Sequence, residues 1–153
     1  MKKHVKKLIL LEAIVFLSCL SLLTGQEAHK NNSTEYTSLY QDTELSKSIA
    51  RGSEIYTDFC MQCHLPDGKG TPKVIPPLAG SDWLVTKRQE SIHSIKYGLQ
   101  GPIKVNGQSF NSAMSSLGLE DEEIADVMNY IMSNWGNTQE KMVTTEEVTA
   151  VEK

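Results

Sequence analysis

A chain of 153 residues has room for one domain with excess at its ends. With residues 1–25 set aside as a leader, eleven Lys and Arg face eighteen Asp and Glu, a net charge of −7 with His neutral. That acidic balance argues against nucleic acid as a partner.

The chain starts with a basic stretch, MKKHVKK, followed by a mostly apolar run from Leu8 to Leu23 and a polar switch at T24-G25-Q26-E27. This order reads as a secretory signal cleaved after Gly25, and it predicts an exported, periplasmic or otherwise extracytoplasmic protein. The apolar run is short of the roughly 20 residues that span a bilayer, and Glu12 is expensive inside one. Cys19 has a second reading. F16-L17-S18-C19 loosely resembles a lipoprotein processing box, which would leave Cys19 lipidated as a membrane tether. The apolar residues Leu20, Leu22 and Leu23 continue past it and favour its simple removal with the leader.

Residues 26–45 are polar with little periodicity and predict a linker. Residues 138–153 are polar and acidic and predict a flexible tail. The remainder, 46–137, is a domain of about 90 residues, small for a purely hydrophobic core, so something beyond apolar packing is expected to hold it together.

Leu45, Ile49, Gly52, Tyr56 and Phe59 fall at steps of three and four, the pattern of one helix face. Gly52 within that run lowers helix stability and marks either a tolerated glycine or the close approach of another helix. The helix leads into C60-M61-Q62-C63-H64. Further on, S81-D82-W83-L84 reads as a helix start, and Ile92, Ile95 and Leu99 suggest a short helix closed by Gly98. V105-N106-G107-Q108 is a tight-turn signal. The last helix carries Ile124, Val127, Met128, Ile131 and Trp135 on one face, with acidic residues 120–123 in its first turn and Gly136 at its stop. The pass predicts an all-α fold of three to four helices with long loops.

Cys-x-x-Cys-His is a specific signal for covalent haem attachment. Two thiols at this spacing add to the vinyl groups along one side of the macrocycle, and the next imidazole then lies under the iron. A redox dithiol expects an α/β pattern around the pair, which this sequence lacks. Structural zinc needs four ligands, and only His29 or His93 could complete Cys60, Cys63 and His64. For the second axial position the candidates are His93, Met114, Met128, Met132 and Met142, since Met61 lies between the two thioethers and cannot turn over the opposite face. Met128 and Met132 fit the core stripe of the last helix, Met142 sits in the tail, and His93 lies beside Ile92. Met114 stands in F110-N-S-A-M-S-S-L-G118, a loop of small residues with no periodic reason for a methionine.

From about Gly52 to Trp135 the sequence resembles a class I c-type cytochrome. The resemblance rests on G52-S-E-I-Y56, C60-M-Q-C-H64, G68-K-G70, P76-P-L-A-G80, A113-M114 and the terminal helix with Tyr130 and Trp135. The stretch G101-P-I-K-V-N-G-Q-S-F-N-S-A-M114 with L117-G-L-E-D-E-E further resembles small cytochromes that accompany quinoprotein or sugar dehydrogenases. The resemblance implies one haem c per chain, bound through Cys60 and Cys63, with His64 and Met114 as iron ligands. It implies that the Pro76 carbonyl meets the non-ligating N–H of His64, that Gly52 lets the first and last helices cross near Tyr130, and that Trp83 approaches a propionate. Its implied partners are redox proteins, among them such a dehydrogenase as donor and a terminal oxidase or other acceptor. Ser115 and Ser116 depart from relatives that place prolines after the methionine, and Glu120 stands where a Ser or Thr N-cap is usual.

Iron held by His and Met has no vacancy for a substrate, so the expected function is one-electron transfer and not catalysis. The rivals are a haem enzyme or gas sensor with a displaceable Met114, and an electron-accepting subunit dedicated to one dehydrogenase.

Overall fold

The computed structural model describes residues 30–153, so the expected leader, its cleavage site and Cys19 lie outside the described residues. The chain divides into two compact units, Met1–Asp42 and Thr43–Lys153. The described part of the first, residues 30–42, is helical. All that follows concerns the second unit.

Helix α1 spans Lys30–Ile55, passes into one π turn at Tyr56–Cys60, and is followed by a short α2 at Met61–His64. The helix includes residues 30–45, which had read as a linker. No Gly or Pro interrupts the chain from Lys30 to Arg51, so nothing stops helix propagation, however polar the stretch. Helices α3 (Asp82–Thr86) and α4 (Arg88–Tyr97) come next. Strands β1 (Ile103–Val105) and β2 (Gln108–Phe110) then form an antiparallel hairpin, with Ile103 opposite Phe110. Asn106 and Gly107 both have positive φ, 50° and 78°, the requirement of the two-residue turn that their sequence signalled. Helix α5 (Asp121–Ile131) and a short α6 (Thr145–Thr149) complete the order. Among the described residues no helix is long and apolar enough to cross a membrane.

The core forms where α5 meets the other helices. Ile124, Val127, Met128 and Ile131 are all 3% exposed or less and pack with Tyr56, Leu84, Ile92 and Ile95. At its start α5 is held by Glu123, whose carboxylate accepts the Glu120 backbone N–H at 2.8 Å, so the reach back from the third helical position supplies what a Ser or Thr cap would have given.

Helices α1 and α5 touch at Gly52. A Cβ built there would lie 2.0 Å from the Asp126 carbonyl oxygen and 2.9 Å from Tyr130 Cβ. Of the two readings of this glycine, close helix approach is the one found. Around the crossing lies a buried polar cluster. Asp126 accepts from the Ser48 hydroxyl at 2.6 Å and from Arg51 Nε and Nη2 at 2.5 and 2.7 Å. A carboxylate this buried needs a paired cation, and Arg51 supplies it in bidentate form.

Residues 138–153 are not a flexible tail. Val143 and Val148 are fully buried and Val151 nearly so, and burying each such side chain stabilises the fold by about 2 kcal/mol. Asn129 of α5 fixes the start of the segment, accepting from Val143 N–H at 2.7 Å and donating to Val143 carbonyl at 2.8 Å. Arg88 pairs with Glu147 through two bonds of 2.6 and 2.8 Å. The three valines lie five and three residues apart, a spacing that no single helix or strand period produces, so the sequence pattern did not show them as one face.

Gly52→Ala is expected to lower stability by about 3 kcal/mol, because the methyl meets backbone that cannot rotate away. Denaturant unfolding of the holoprotein, followed by circular dichroism, measures it.

Candidate functional site

The π turn sets the site. One extra residue in a helical turn rotates everything after it, and π turns occur often at functional positions. Before the turn, Ile49, Gly52 and Tyr56 follow the buried stripe. After it, Phe59, expected on that stripe, is 47% exposed and lines a cavity together with Cys60, Cys63 and His64. Cys60 is half-buried and Cys63 exposed, and both are free thiols.

The loop after His64 is pinned from outside. Trp135 donates its indole N–H to the Pro66 carbonyl at 3.2 Å and stacks with Tyr56 and Tyr130 at ring separations of 5.0 and 5.6 Å. Its ring lies flat against Gly68, where a Cβ would come within 2.6 Å. The Tyr56 hydroxyl donates to the Leu65 carbonyl at 2.7 Å. These contacts hold the loop that brings Pro76 to His64, with Nδ1 and the Pro76 carbonyl 3.2 Å apart. The carbonyl can only accept, so Nδ1 carries the proton and Nε2 keeps its lone pair. Burial lowers the His64 pKa, against an opposing effect of the Pro76 bond, and favours the neutral imidazole that a metal ligand must be.

Burial and the neighbouring Cys63 push the Cys60 thiol up to about 11. A dithiol oxidoreductase needs the opposite, a thiol with lowered pKa, so the redox-dithiol reading fails on chemistry as well as on fold. The zinc reading fails too. His93 packs its ring edge-on to Tyr97 at 5.1 Å and lies outside the cavity lining. Among the described residues no group of three or more His, Cys, Asp or Glu could hold a metal ion; His29 lies outside them.

The cavity holds about 380 Å³. Ile75, Leu84, Ile95, Phe110 and Met128 give it apolar walls, and Met114 stands on the lining with His64. Met114 is held by a two-bond bridge to Leu99, Met114 N–H to Leu99 carbonyl at 2.9 Å and Leu99 N–H to Met114 carbonyl at 2.8 Å. Of the rival ligands, Met128 is a fully buried wall of the same cavity, Met132 receives an Arg88 N–H at 3.6 Å, and Met61 packs against the core. Trp83 lines the cavity half-buried. Sequence reasoning did not pick out Ser91 and Ser94, which also line it. Their hydroxyls are spent on the carbonyls one turn earlier, Lys87 and Glu90, at 2.8 and 2.6 Å, leaving a slim helix face toward the cavity. Their spacing of three was the available signal.

Two thiols and a neutral imidazole on one wall, a thioether on the lining and apolar walls between them fit a planar apolar macrocycle with iron at its centre. This is the site of a c-type haem protein. A model of the family described as cytochrome c matches residues 49–135. The chain is 42% identical over 113 residues to cytochrome c-552 of Thermus thermophilus, covering 68% of this chain and 76% of that one. It is 33% identical over 101 residues to the cytochrome c subunit of the quinone alcohol dehydrogenase of Gluconobacter oxydans, and 29% over 126 residues to the gluconate 2-dehydrogenase cytochrome c subunit of Pantoea cypripedii. These matches cover 63% and 74% of this chain but only 21% and 28% of those longer subunits. The chain belongs to the cytochrome c family. It has the all-α class I fold, carries covalently bound haem c and is a monohaem electron carrier.

Loss of either attachment thiol is expected to remove most holoprotein. Cys60→Ala and Cys63→Ala should each give a sharply lower yield of haem-stained protein on a denaturing gel, and the double variant no haem after acid-acetone extraction.

Proposed function

We propose that this chain is an exported electron shuttle in which His64 and Met114 are the axial ligands and Cys60 and Cys63 the thioether anchors. The observation that carries the reading is that the cavity walled by Cys60, Cys63 and His64 has Met114 on its lining, bridged to Leu99 by backbone bonds. Haem c bound there supplies a one-electron iron couple. Pro76 holds the His64 ring in one orientation and one tautomer, which makes Nε2 the better donor. Met114 offers a neutral, weakly donating sulfur, which favours the ferrous state and raises the potential. The apolar walls exclude water, so little has to rearrange when the charge changes. Covalent attachment of this kind belongs to maturation outside the cytoplasm, and the basic-then-apolar start of the sequence agrees with that location.

The dehydrogenase subunits among the relatives favour a dehydrogenase as electron donor, with a terminal oxidase or other acceptor downstream. The same names support a second reading, a subunit that serves one dehydrogenase. Pull-down of the native protein separates them, since a shuttle comes down alone and a dedicated subunit with its enzyme.

Met114→His replaces the thioether with a donor that prefers ferric iron and is expected to lower the potential substantially. Met114→Ala is expected to give high-spin ferric iron that binds small ligands. Met128→Leu and Met132→Leu should leave the spectrum unchanged. Redox titration and the ferric spectrum decide the assignment, and a Met114→Ala protein with unchanged low-spin spectrum and potential would remove Met114 from it.

A further inference from the structure

We infer that the C-terminal segment 143–151 is a latch that positions the Met114 loop, acting through the last turn of α4. The inference rests on Met114 as the axial ligand.

The loop after Met114 lacks the prolines that would stiffen it, yet it is held from one side. Met114 makes both backbone bonds to Leu99. The Ser116 hydroxyl donates to the Lys96 carbonyl at 2.8 Å. Gly98, at φ 88°, sits so close beneath that a Cβ would be 2.8 Å from the Met114 carbonyl oxygen and 3.1 Å from the Ser116 nitrogen. Residues 96–99 are therefore the seat on which Met114 and Ser116 rest.

That seat is in turn tied to the C-terminal segment. Lys96 Nζ donates to the Val148 carbonyl at 2.9 Å and pairs with Asp121 at 3.0 Å. The Tyr97 hydroxyl donates to the Val151 carbonyl at 3.1 Å. At the other end of α4, Glu147 holds Arg88 in a half-buried bidentate pair. Thr149 closes the cluster by donating to Asp121 at 2.8 Å. Helix α4 thus has Ser91, Ser94 and Ile95 on the cavity and Arg88, Lys96 and Tyr97 bound to the C-terminal segment. No residue of 138–153 lines the cavity itself. The segment can reach the iron ligand only through α4, which makes its residues positioning residues. Val143, Val148 and Val151 supply the apolar burial that keeps it seated.

The test compares ferric holoproteins by the weak red charge-transfer band of a methionine–iron bond and by affinity for added imidazole, which competes with Met114 for the iron. The set is the full chain, Met114→Ala, Tyr97→Phe, Glu147→Gln, a chain ending at Met142, and Arg51→Lys, which weakens the Asp126 cluster without touching α4. Imidazole affinity should rise about threefold in Tyr97→Phe and in Glu147→Gln, the population shift one lost polar tie allows, and about tenfold or more in the truncated chain. Arg51→Lys should lower the thermal midpoint with no change in affinity. If Met114→Ala keeps the band, the ligand assignment falls and takes the latch with it. If Met114→Ala loses the band but Tyr97→Phe and Glu147→Gln bind imidazole as the full chain does, the latch alone is overturned. An Arg51→Lys affinity raised as much as theirs also overturns it, since the effect would then be global stability.

Discussion

At Gly52 the backbone of α1 comes so near the Asp126 carbonyl that not even a methyl group fits between. This contact fixes where the first helix lies on the last, and the rest follows from it. One turn on, Tyr56 is buried against Tyr130 and Trp135, and Trp135 reaches across to the Pro66–Gly68 loop. The π turn then swings Cys60, Cys63 and His64 off the helix–helix face and onto the cavity. Behind the crossing, Asp126, Ser48 and Arg51 consume each other's hydrogen bonds, so the close approach leaves no buried charge unpaired.

The two sides of the cavity are supported differently. The His64 side is built from rigid elements: a continuous helix, three stacked aromatic rings and a carbonyl that sets the imidazole. The Met114 side is a loop, made firm by a backbone bridge, by a glycine with no room for a side chain and by the C-terminal segment behind α4. A strong donor on the rigid side and a weak one on the supported loop suit a carrier that must keep one geometry through both oxidation states. The apolar lining and small serine-faced α4 complete a site that leaves room for the macrocycle and little for water.

Most of this was legible in the sequence because it depends on local chemistry. Cys60, Cys63 and His64 declare themselves by spacing, the α5 stripe by its period, the Asn106-Gly107 turn by its residues, and Gly52 by being a glycine in a helical run. What stayed hidden depends on distant partners. Residues 143–151 look like a disordered tail because their three valines share no period, and only Asn129, Arg88 and Lys96 from elsewhere in the chain give them a place. Phe59 was placed on the core face because a 3.6-residue period was carried through a turn that is π, and nothing in YTDFC signals the extra residue. The polar stretch from Lys30 looked like a linker because periodicity was sought, whereas unbroken backbone propagation is enough for a helix. Ser116 read as a departure from family pattern, and its hydroxyl is a tie to Lys96 that no local rule foretells.

The central claim is that the Met114 sulfur sits on the iron. Proton NMR of the reduced, diamagnetic holoprotein tests it directly, with methionine methyls isotopically labelled and Met114 assigned by substitution. A ligand methyl lies over the macrocycle face, where ring current shifts it far upfield. The account predicts one methyl resonance displaced in this way, lost in Met114→Ala and kept in Met128→Leu. An unshifted Met114 methyl, or an upfield methyl belonging to another methionine, would contradict it.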